Sequence, residues 1–445
     1  MTAATGLLVL GGVSLLATAS VLYRCRRVGL PLVPLVFFTA WLQGELAVIH
    51  LIWQGALAAW LLSEGALAQP EGQLGLALLL LSFAGLMRSL YLSAGAGASL
   101  RQALTEGLGN GYRDAIDADR RGVLRDHISW REWMRPFSFR RDGITVIRSV
   151  PYGPAGRRNQ LDIYQPLQPR AGGFPVLLQV HGGAWMIGNK QQQGLPLMNH
   201  LAQRGWLCVS INYRLSPRAT FPDHLFDVKQ ALGWIRQHIH RYGGNPDFVA
   251  ITGGSAGGHL SSLAALTANQ PDLQPGFEQI DTSVQAAVPL YGVYDWNDVA
   301  GAGGTGVMEG LLARFVMKCT RDQNPELWRR GTSLANIHPG APPMFLLHGS
   351  HDTLVWVEDA RYFAEQLRCV SRNPVVYAEL QGAQHAFEIF HSMRCDYAVN
   401  AVTEFLEWNY SQWRRSAARP SAARPDAARP DAAPSSPRAA PVTVG

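Results

Sequence analysis

Three residues of this chain have the types and the order needed for acyl transfer. Ser255 sits in Gly253-Gly254-Ser255-Ala256-Gly257-Gly258, directly after the apolar run Phe248-Val249-Ala250-Ile251-Thr252. A serine hydroxyl at its ordinary pKa is a weak nucleophile, so it needs an imidazole to take its proton, and the imidazole needs a carboxylate to hold its tautomer. Both lie downstream: Asp352 in His348-Gly349-Ser350-His351-Asp352, and His385 in Gly382-Ala383-Gln384-His385-Ala386-Phe387. Glu358 and Asp359 are alternative acids, but they fall inside the helical stretch that follows Asp352. His391 opens the last helix, where its side chain packs or faces solvent. Acyl transfer also needs donors for the oxygen that becomes negative, each contributing about 2.7–4 kcal/mol. The apolar run Pro175-Val176-Leu177-Leu178-Gln179-Val180 opens into His181-Gly182-Gly183-Ala184-Trp185, and a glycine pair after a strand leaves backbone N–H groups approachable.

These groups need elements that hold them. A strand that turns sharply into a helix at Ser255 forces the serine backbone into strain, and Gly253 and Gly257 supply the room. A glycine-rich turn between two packed elements would read the same locally; the partners Asp352 and His385 favour the catalytic reading. Strands are expected at 144–150, 161–164, 176–180, 207–212, 248–252, 284–290, 344–347 and 375–380, with helices at 224–242 and 259–268. That alternation implies an α/β fold with a mostly parallel sheet covered on both faces. Asp352 then lies just past a strand's carboxyl end, where open sheets of this kind build their sites. Residues 295–335, with Gly301-Ala302-Gly303-Gly304 and a helix near 308–317, are long enough to form part of a lid.

The first 95 residues differ from the rest. Apolar runs at 7–23, 30–53 (reaching toward 62) and 74–92 each approach the roughly 20 residues that cross about 30 Å of hydrocarbon, and are expected to form three membrane helices. Ala17-Thr18-Ala19 could mark signal-peptide cleavage, but no Lys or Arg precedes that run. Arg24, Arg26 and Arg27 belong on the cytoplasmic side and the acidic linker 63–73 outside, which leaves everything after residue 92 cytoplasmic. Glu45 and His50 fall in the second run, five residues apart and so not on one helix face; interhelical hydrogen bonding or an interface position is expected for them. Residues 96–139 read as a juxtamembrane segment. Within it, 120–137 has Trp130, Trp133, Met134 and Phe137 at amphipathic-helix spacing, suited either to a membrane interface or to packing on the globular domain. From 414 to 445 the Ala, Arg and Pro repeats are expected to be disordered.

The charge is modestly basic, 39 Lys and Arg against 33 Asp and Glu, and lysine occurs only at 190, 229 and 318. With no basic run interleaved with aromatics, a nucleic-acid partner is not expected. The five cysteines, Cys25, Cys208, Cys319, Cys369 and Cys395, show neither C-x-x-C nor metal spacing.

Residues 140–413 resemble the hormone-sensitive-lipase-like carboxylesterases of the α/β-hydrolase superfamily. The resemblance is carried by His181-Gly182-Gly183-Ala184-Trp185, Asn212-Tyr213-Arg214-Leu215-Ser216-Pro217 with Phe221-Pro222, the Ser255 turn, His348-Gly349-x-x-Asp352 and His385-Ala386-Phe387. The chain order Ser255, Asp352, His385 is the order of that fold. The resemblance implies an α/β-hydrolase fold, Ser255 as nucleophile, His385 as general base then acid, Asp352 as its orienter, and the N–H groups of Gly182, Gly183 and Ala256 as the oxyanion hole. Three positions depart from the family pattern: Ala184 for a third glycine, Gly254 for Asp, and Ala386 for Gly. The expected protein is a membrane-anchored serine esterase or lipase acting on a small-molecule ester or lipid of short to medium acyl length, with no metal or organic cofactor required. Amide hydrolysis by the same triad is the alternative within enzymes. A catalytically inactive membrane-bound binding protein is the alternative outside them.

Overall fold

A computed structural model describes residues 2–24, 32–125, 128–301 and 307–418. Eight strands form one sheet in the order β1-β2-β4-β3-β5-β6-β7-β8. They are β1 (Ile144–Pro151), β2 (Gln160–Pro166), β3 (Phe174–Val180), β4 (Leu207–Ile211), β5 (Gly244–Gly254), β6 (Ala286–Leu290), β7 (Met344–Gly349) and β8 (Val375–Leu380). The β1–β2 and β2–β4 pairs are antiparallel and every other pair is parallel. This is the mostly parallel sheet that the strand and helix alternation predicts.

The strand side chains alternate between two cores. Val176, Leu178, Val209 and Ile251 face one side, packed with Leu232 and Leu260 of α8 (Asp223–His238) and α9 (Ala256–Leu266) and with Phe363 of α12 (Val357–Val370). Leu177, Cys208 and Phe345 face the other, packed with Leu201 of α7 (Leu195–Gln203) and Phe405 of α13 (Met393–Ala418). Burial of both faces explains why β3, β4, β6 and β7 are buried along their whole length and read as unbroken apolar runs. The lid expected at 295–335 contains α10 (Val307–Leu311), a π-helical turn (Leu312–Met317) and α11 (Pro325–Gly331); residues 302–306 of its glycine run lie outside the described residues.

The N-terminal region is helical but is organised differently from the expectation. It comprises α1 (Ala3–Leu22), α2 (Val33–Glu45), α3 (Ala47–Ser63) and α4 (Pro70–Leu108). Two of these, α1 and α4, are long and apolar enough to cross a membrane, and a third span is possible only if the pair α2 and α3 counts as one. That pair is bent by 88° at Leu46, so the second apolar run is not a straight helix. The cause is tertiary: Glu45, the last residue of α2, is buried in an ion pair with Arg394 of α13 at 2.9 Å and accepts from the Ser392 hydroxyl at 2.7 Å. The third run also continues beyond residue 92. α4 is 39 residues long, and its Leu100 and Leu104 are buried in the same core as Val376 of β8. Position 95, the expected end of the membrane region, therefore falls within α4.

The amphipathic helix expected over 120–137 is absent from the described residues of that stretch. Two short turns stand there, α5 (Ala118–Arg121) and α6 (Trp130–Trp133), with residues 126–127 outside the description. Long-range partners override the local spacing. Arg120 is buried against Glu407 at 2.5 Å, and Trp133 Nε1 donates to Asp396 at 3.0 Å. Residues 414–418, expected in the tail, complete α13, with Arg414 paired to Asp117 and Asp119; residues 419–445 lie outside the described residues. Cys208, Cys319, Cys369 and Cys395 are free thiols.

Candidate active site

The turn from β5 into α9 has the strain its sequence requires. Ser255 is a non-glycine residue at φ 58° and ψ −121°. A Cβ at Gly253 would come within 2.5 Å of the Val180 and Gly257 carbonyl oxygens, and one at Gly257 would overlap the Val180 carbonyl outright. The glycines on both sides are thus fixed by contact with β3. The departure at Gly254 has the same kind of cause, since a Cβ there would overlap the Tyr291 hydroxyl.

Asp352 and His385 meet directly. His385 Nδ1 donates to Asp352 Oδ2 at 2.6 Å, and both residues are buried. The other carboxylate oxygen accepts the backbone N–H groups of Leu354 and Val355, each at 2.8 Å, and His348 Nε2 lies 3.1 Å from Oδ2. Burial pushes the Asp352 carboxyl up, but the His385 and His348 imidazoles and their hydrogen bonds outweigh it and hold the group well below the usual carboxylate range. Asp352 stays ionised, and an ionised acceptor fixes the His385 proton on Nδ1 and leaves Nε2 free to act as a base. Ser255 and His385 line one cavity of about 920 Å³. The His385 ring is packed by Tyr291 at 4.4 Å between centroids, and the Tyr291 hydroxyl donates to the buried Glu388.

Neither alternative acid reaches His385. Glu358 forms a two-pronged ion pair with Arg24, at 2.8 and 2.6 Å. Asp359 is buried and lines the cavity. Its Oδ2 accepts the Tyr294 N–H at 2.8 Å, and its Oδ1 has no partner among the described residues. Burial, with the neighbouring Asp295 carboxylate, pushes Asp359 up to about 7. His391 is buried in a pair with Asp396 at 2.8 Å, which makes it part of the packing.

The loop after β3 corrects one expected donor. The Gly182 N–H already donates to Gln193 Oε1 at 2.6 Å, so it is not available to a substrate oxygen. The reason is the turn itself: Gly183, Ala184 and Trp185 all take positive φ, 109°, 50° and 60°, which carries the loop toward the cavity only after Gly182. Gly183 and Ala184 line the cavity, and Ala256 opens α9, where a first-turn N–H has no intrahelical acceptor. The Asn212 to Pro217 motif braces this loop from behind. Tyr213 stacks on His181 at 4.3 Å and donates to its carbonyl at 3.0 Å, while Ser216 N–H donates to the Trp185 carbonyl at 2.9 Å.

Sequence reasoning missed one wall of the cavity. Val33, Val36, Phe37, Phe38 and Trp41 of α2 line it. Phe37 sits edge-on to the His385 ring at 6.2 Å. Nothing local marks these residues as a site wall, because an apolar helix reads the same against lipid as against a cavity. Trp296, Leu311 and Leu312, in the segment expected to form part of a lid, also line the cavity.

Comparison with known proteins places this geometry in a family. Residues 161–367 match the BD-FAE family. The chain is 55% identical over 258 residues to the probable carboxylic ester hydrolase LipM of Mycobacterium tuberculosis, an alignment that spans 58% of this chain and 60% of that relative. It is 43% identical over 318 residues to esterase LipQ of the same organism, spanning 69% of this chain and 73% of the relative. Among solved structures, a truncated carbohydrate esterase from gut microbiota shares the fold at a TM-score of 0.51 and 22% identity, covering 60% of this chain and 98% of that one. A bifunctional GH43-CE protein of Bacteroides eggerthii aligns at a TM-score of 0.53 and 25% identity, covering 59% of this chain and 38% of that one. With this sheet, the strained serine turn and relatives of this similarity, the chain belongs to the hormone-sensitive-lipase-like carboxylesterases of the α/β-hydrolase superfamily.

Proposed function

We propose that this protein is a membrane-anchored serine carboxylesterase that hydrolyses short- to medium-chain carboxylic esters through an acyl-enzyme intermediate. The observation that carries the proposal is the 2.6 Å bond from His385 Nδ1 to a buried, ionised Asp352, in a cavity that also exposes Ser255. In this reading Ser255 Oγ attacks the ester carbonyl while His385 Nε2 takes its proton. The developing oxyanion is met by the N–H groups of Gly183 and Ala256, with Ala184 next along the loop, and Gly182 supports the loop through Gln193. The protonated His385 then gives its proton to the leaving alcohol. Water repeats the sequence on the acyl-enzyme, and the acid is released.

The proposed acyl limit is supported by the bulk of Trp185 and Trp296, packed edge to face at 5.3 Å and both lining the cavity. Membrane anchoring is supported by the apolar length of α1 and α4. A cytoplasmic catalytic domain is supported by Arg24, Arg26 and Arg27 after the first helix; a C-terminal alkaline phosphatase fusion is expected to be inactive, and an active one would place the domain on the other side. The decisive experiment is labelling with a fluorophosphonate probe beside rates on p-nitrophenyl esters of increasing acyl length and a matched anilide. Labelling at Ser255 with rates that peak at about four to eight carbons is expected from family analogy. No labelling at Ser255 would overturn the proposal, and a faster anilide would turn it toward amide hydrolysis.

A further inference from the structure

The N-terminal helices do more in this structure than hold the domain near a bilayer. α1 and α4 run side by side in the same direction. A Cβ at Gly72 would touch Ala4, one at Gly75 would press on Leu7, Thr18 Oγ1 and Ser82 Oγ are 2.8 Å apart, and a Cβ at Gly85 would reach Leu22. α3 returns between their ends, from Gly44 beside Val21 to Ala66 beside Gly72. At 20 residues and 1.5 Å per residue, α1 is about 30 Å long, the thickness of the hydrocarbon layer. α2 lies at the end of this bundle where α1 finishes, with Gln43 Nε2 donating to Thr18 Oγ1 at 3.2 Å, and it turns through 88° into α3. With α1 and α4 crossing the membrane and α3 packed alongside them, α2, bent 88° away from α3 at the end where α1 finishes, lies along the membrane surface on the side of the catalytic domain.

One side of α2 faces the catalytic groups and another faces out. Phe37 packs against His385, and the Trp41 indole N–H donates to the Ala386 carbonyl at 2.9 Å. Leu35 is 60% exposed and does not line the cavity, whereas Phe38 is 50% exposed and does line it. Phe38 therefore stands where the cavity meets the outside, and Ile187, 69% exposed and also lining the cavity, stands at another part of that rim. An exposed apolar surface made of α1, α2, α3 and α4 is what a hydrocarbon layer would cover. The cavity wall and the lipid-facing surface are then two sides of one helix. The ends of α2 are pinned to the domain side by the buried Glu45–Arg394 pair at one end and, before the other, by the Arg24–Glu358 pair at 2.6 Å.

We propose that α2 is an active-site wall and that the substrate enters past it from the bilayer: an ester one half of which is an apolar chain that stays among the lipid tails while the ester carbonyl reaches Ser255. This rests on the esterase reading of Ser255 and adds a substrate class and an entry path to it. A cavity of about 920 Å³ holds more than a short acyl group, so the short acyl half leaves room along α2 for an apolar alcohol half.

The test uses the full chain in phospholipid nanodiscs and two butyrate esters, p-nitrophenyl butyrate in water and hexadecyl butyrate dissolved in the bilayer. Leu35→Asp places a charge on the lipid-facing side of α2 without touching the cavity. It is expected to lower hexadecyl butyrate hydrolysis at least tenfold while p-nitrophenyl butyrate hydrolysis changes less than twofold. Parallel loss of both rates, or loss of neither, would overturn the inference; Leu35→Ser, a smaller change that is expected to lower the ratio of the two rates in the same direction, guards against misfolding of the first variant. A photo-crosslinking amino acid at position 35 is expected to give a phospholipid adduct by mass spectrometry, and its absence would overturn the wall's lipid contact. Hydrolysis of p-nitrophenyl butyrate but not hexadecyl butyrate by the unaltered protein would overturn this inference alone. Hydrolysis of neither, with no fluorophosphonate labelling, would overturn the esterase reading beneath it.

Discussion

The Trp41 indole N–H donates to the carbonyl oxygen of Ala386, 345 positions away in sequence and adjacent to His385. Ala386 holds a positive φ of 65°, unusual for a non-glycine residue, so the loop that presents the imidazole is both strained and clamped by α2. Trp41→Phe keeps an aromatic ring, smaller than the indole, and removes the donor. It is expected to lower kcat for p-nitrophenyl butyrate about three- to tenfold with KM nearly unchanged, because a net hydrogen bond of about 1 kcal/mol holds His385 rather than substrate. Steady-state kinetics on detergent-solubilised protein would show it, and an unchanged kcat would remove the clamp from the account.

Deleting the N-terminal region is expected to cost the fold as well as the membrane. A fragment beginning near residue 140 would lose Leu100 and Leu104 from the core that contains Val376 and Phe405, and would leave Arg394 and Glu407 buried without Glu45 and Arg120. Breaking a buried pair by removing one partner costs about 3–5 kcal/mol. Soluble expression of such a fragment should give aggregated or molten protein by size exclusion and near-UV circular dichroism; a monomer with full esterase rate would refute this.

Ser255→Ala and His385→Ala should each remove nearly all activity, by several orders of magnitude, because triad members act as a unit. Asp352→Asn should be nearly as severe, since no other carboxylate reaches His385 among the described residues. His391→Ala should lower the melting temperature, as its pair with Asp396 is buried, yet leave kcat within a fewfold. Loss of turnover in His391→Ala with the melting temperature unchanged would reopen the assignment of the base.

Placing an aspartate at position 254, as the resemblance noted above would have it, should damage the site. In Gly254→Asp the new Cβ falls on the Tyr291 hydroxyl and would displace the ring that packs against His385. Activity is expected to fall at least tenfold, and Tyr291→Ala in the same chain should recover part of it by making room. Wild-type rates in Gly254→Asp would show that Tyr291 moves freely.

Asp359 gives a pH signature. Its folded pKa, about 7, lies above the ordinary 3.8, so between these values the native state binds more protons than the unfolded one. Its contribution to stability is therefore greatest at low pH and is lost as pH rises toward 7. Asp359→Asn removes that dependence. The difference in unfolding free energy between variant and wild type should shift in the variant's favour between pH 5 and 8 by on the order of 1–3 kcal/mol. Urea unfolding across that range measures it, and a constant difference would mean that Asp359 is ionised throughout.

The sequence by itself determined the parts whose signals are local. Glycines at 253 and 257 are demanded by the turn at Ser255 whatever surrounds it, and strands buried on both faces show as apolar runs such as 175–180, so the sheet, the serine turn and the Asp352 and His385 loops were legible in order. Tertiary structure decided what depends on partners far apart in the chain. An apolar run at 30–53 satisfies a membrane and a cavity wall equally well, and long-range partners such as the Glu45–Arg394 pair, 349 positions apart, go with its bend at Leu46 and hold α2 over the site. The spacing of Trp130, Trp133, Met134 and Phe137 suited a helix until long-range contacts, buried from Arg120 and half-buried from Trp133, to α13 took the chain elsewhere. Gly182 looked like a free donor because a glycine pair shows only that backbone is accessible. Whether an N–H is already taken depends on where Gln193 folds back, which no local spacing encodes.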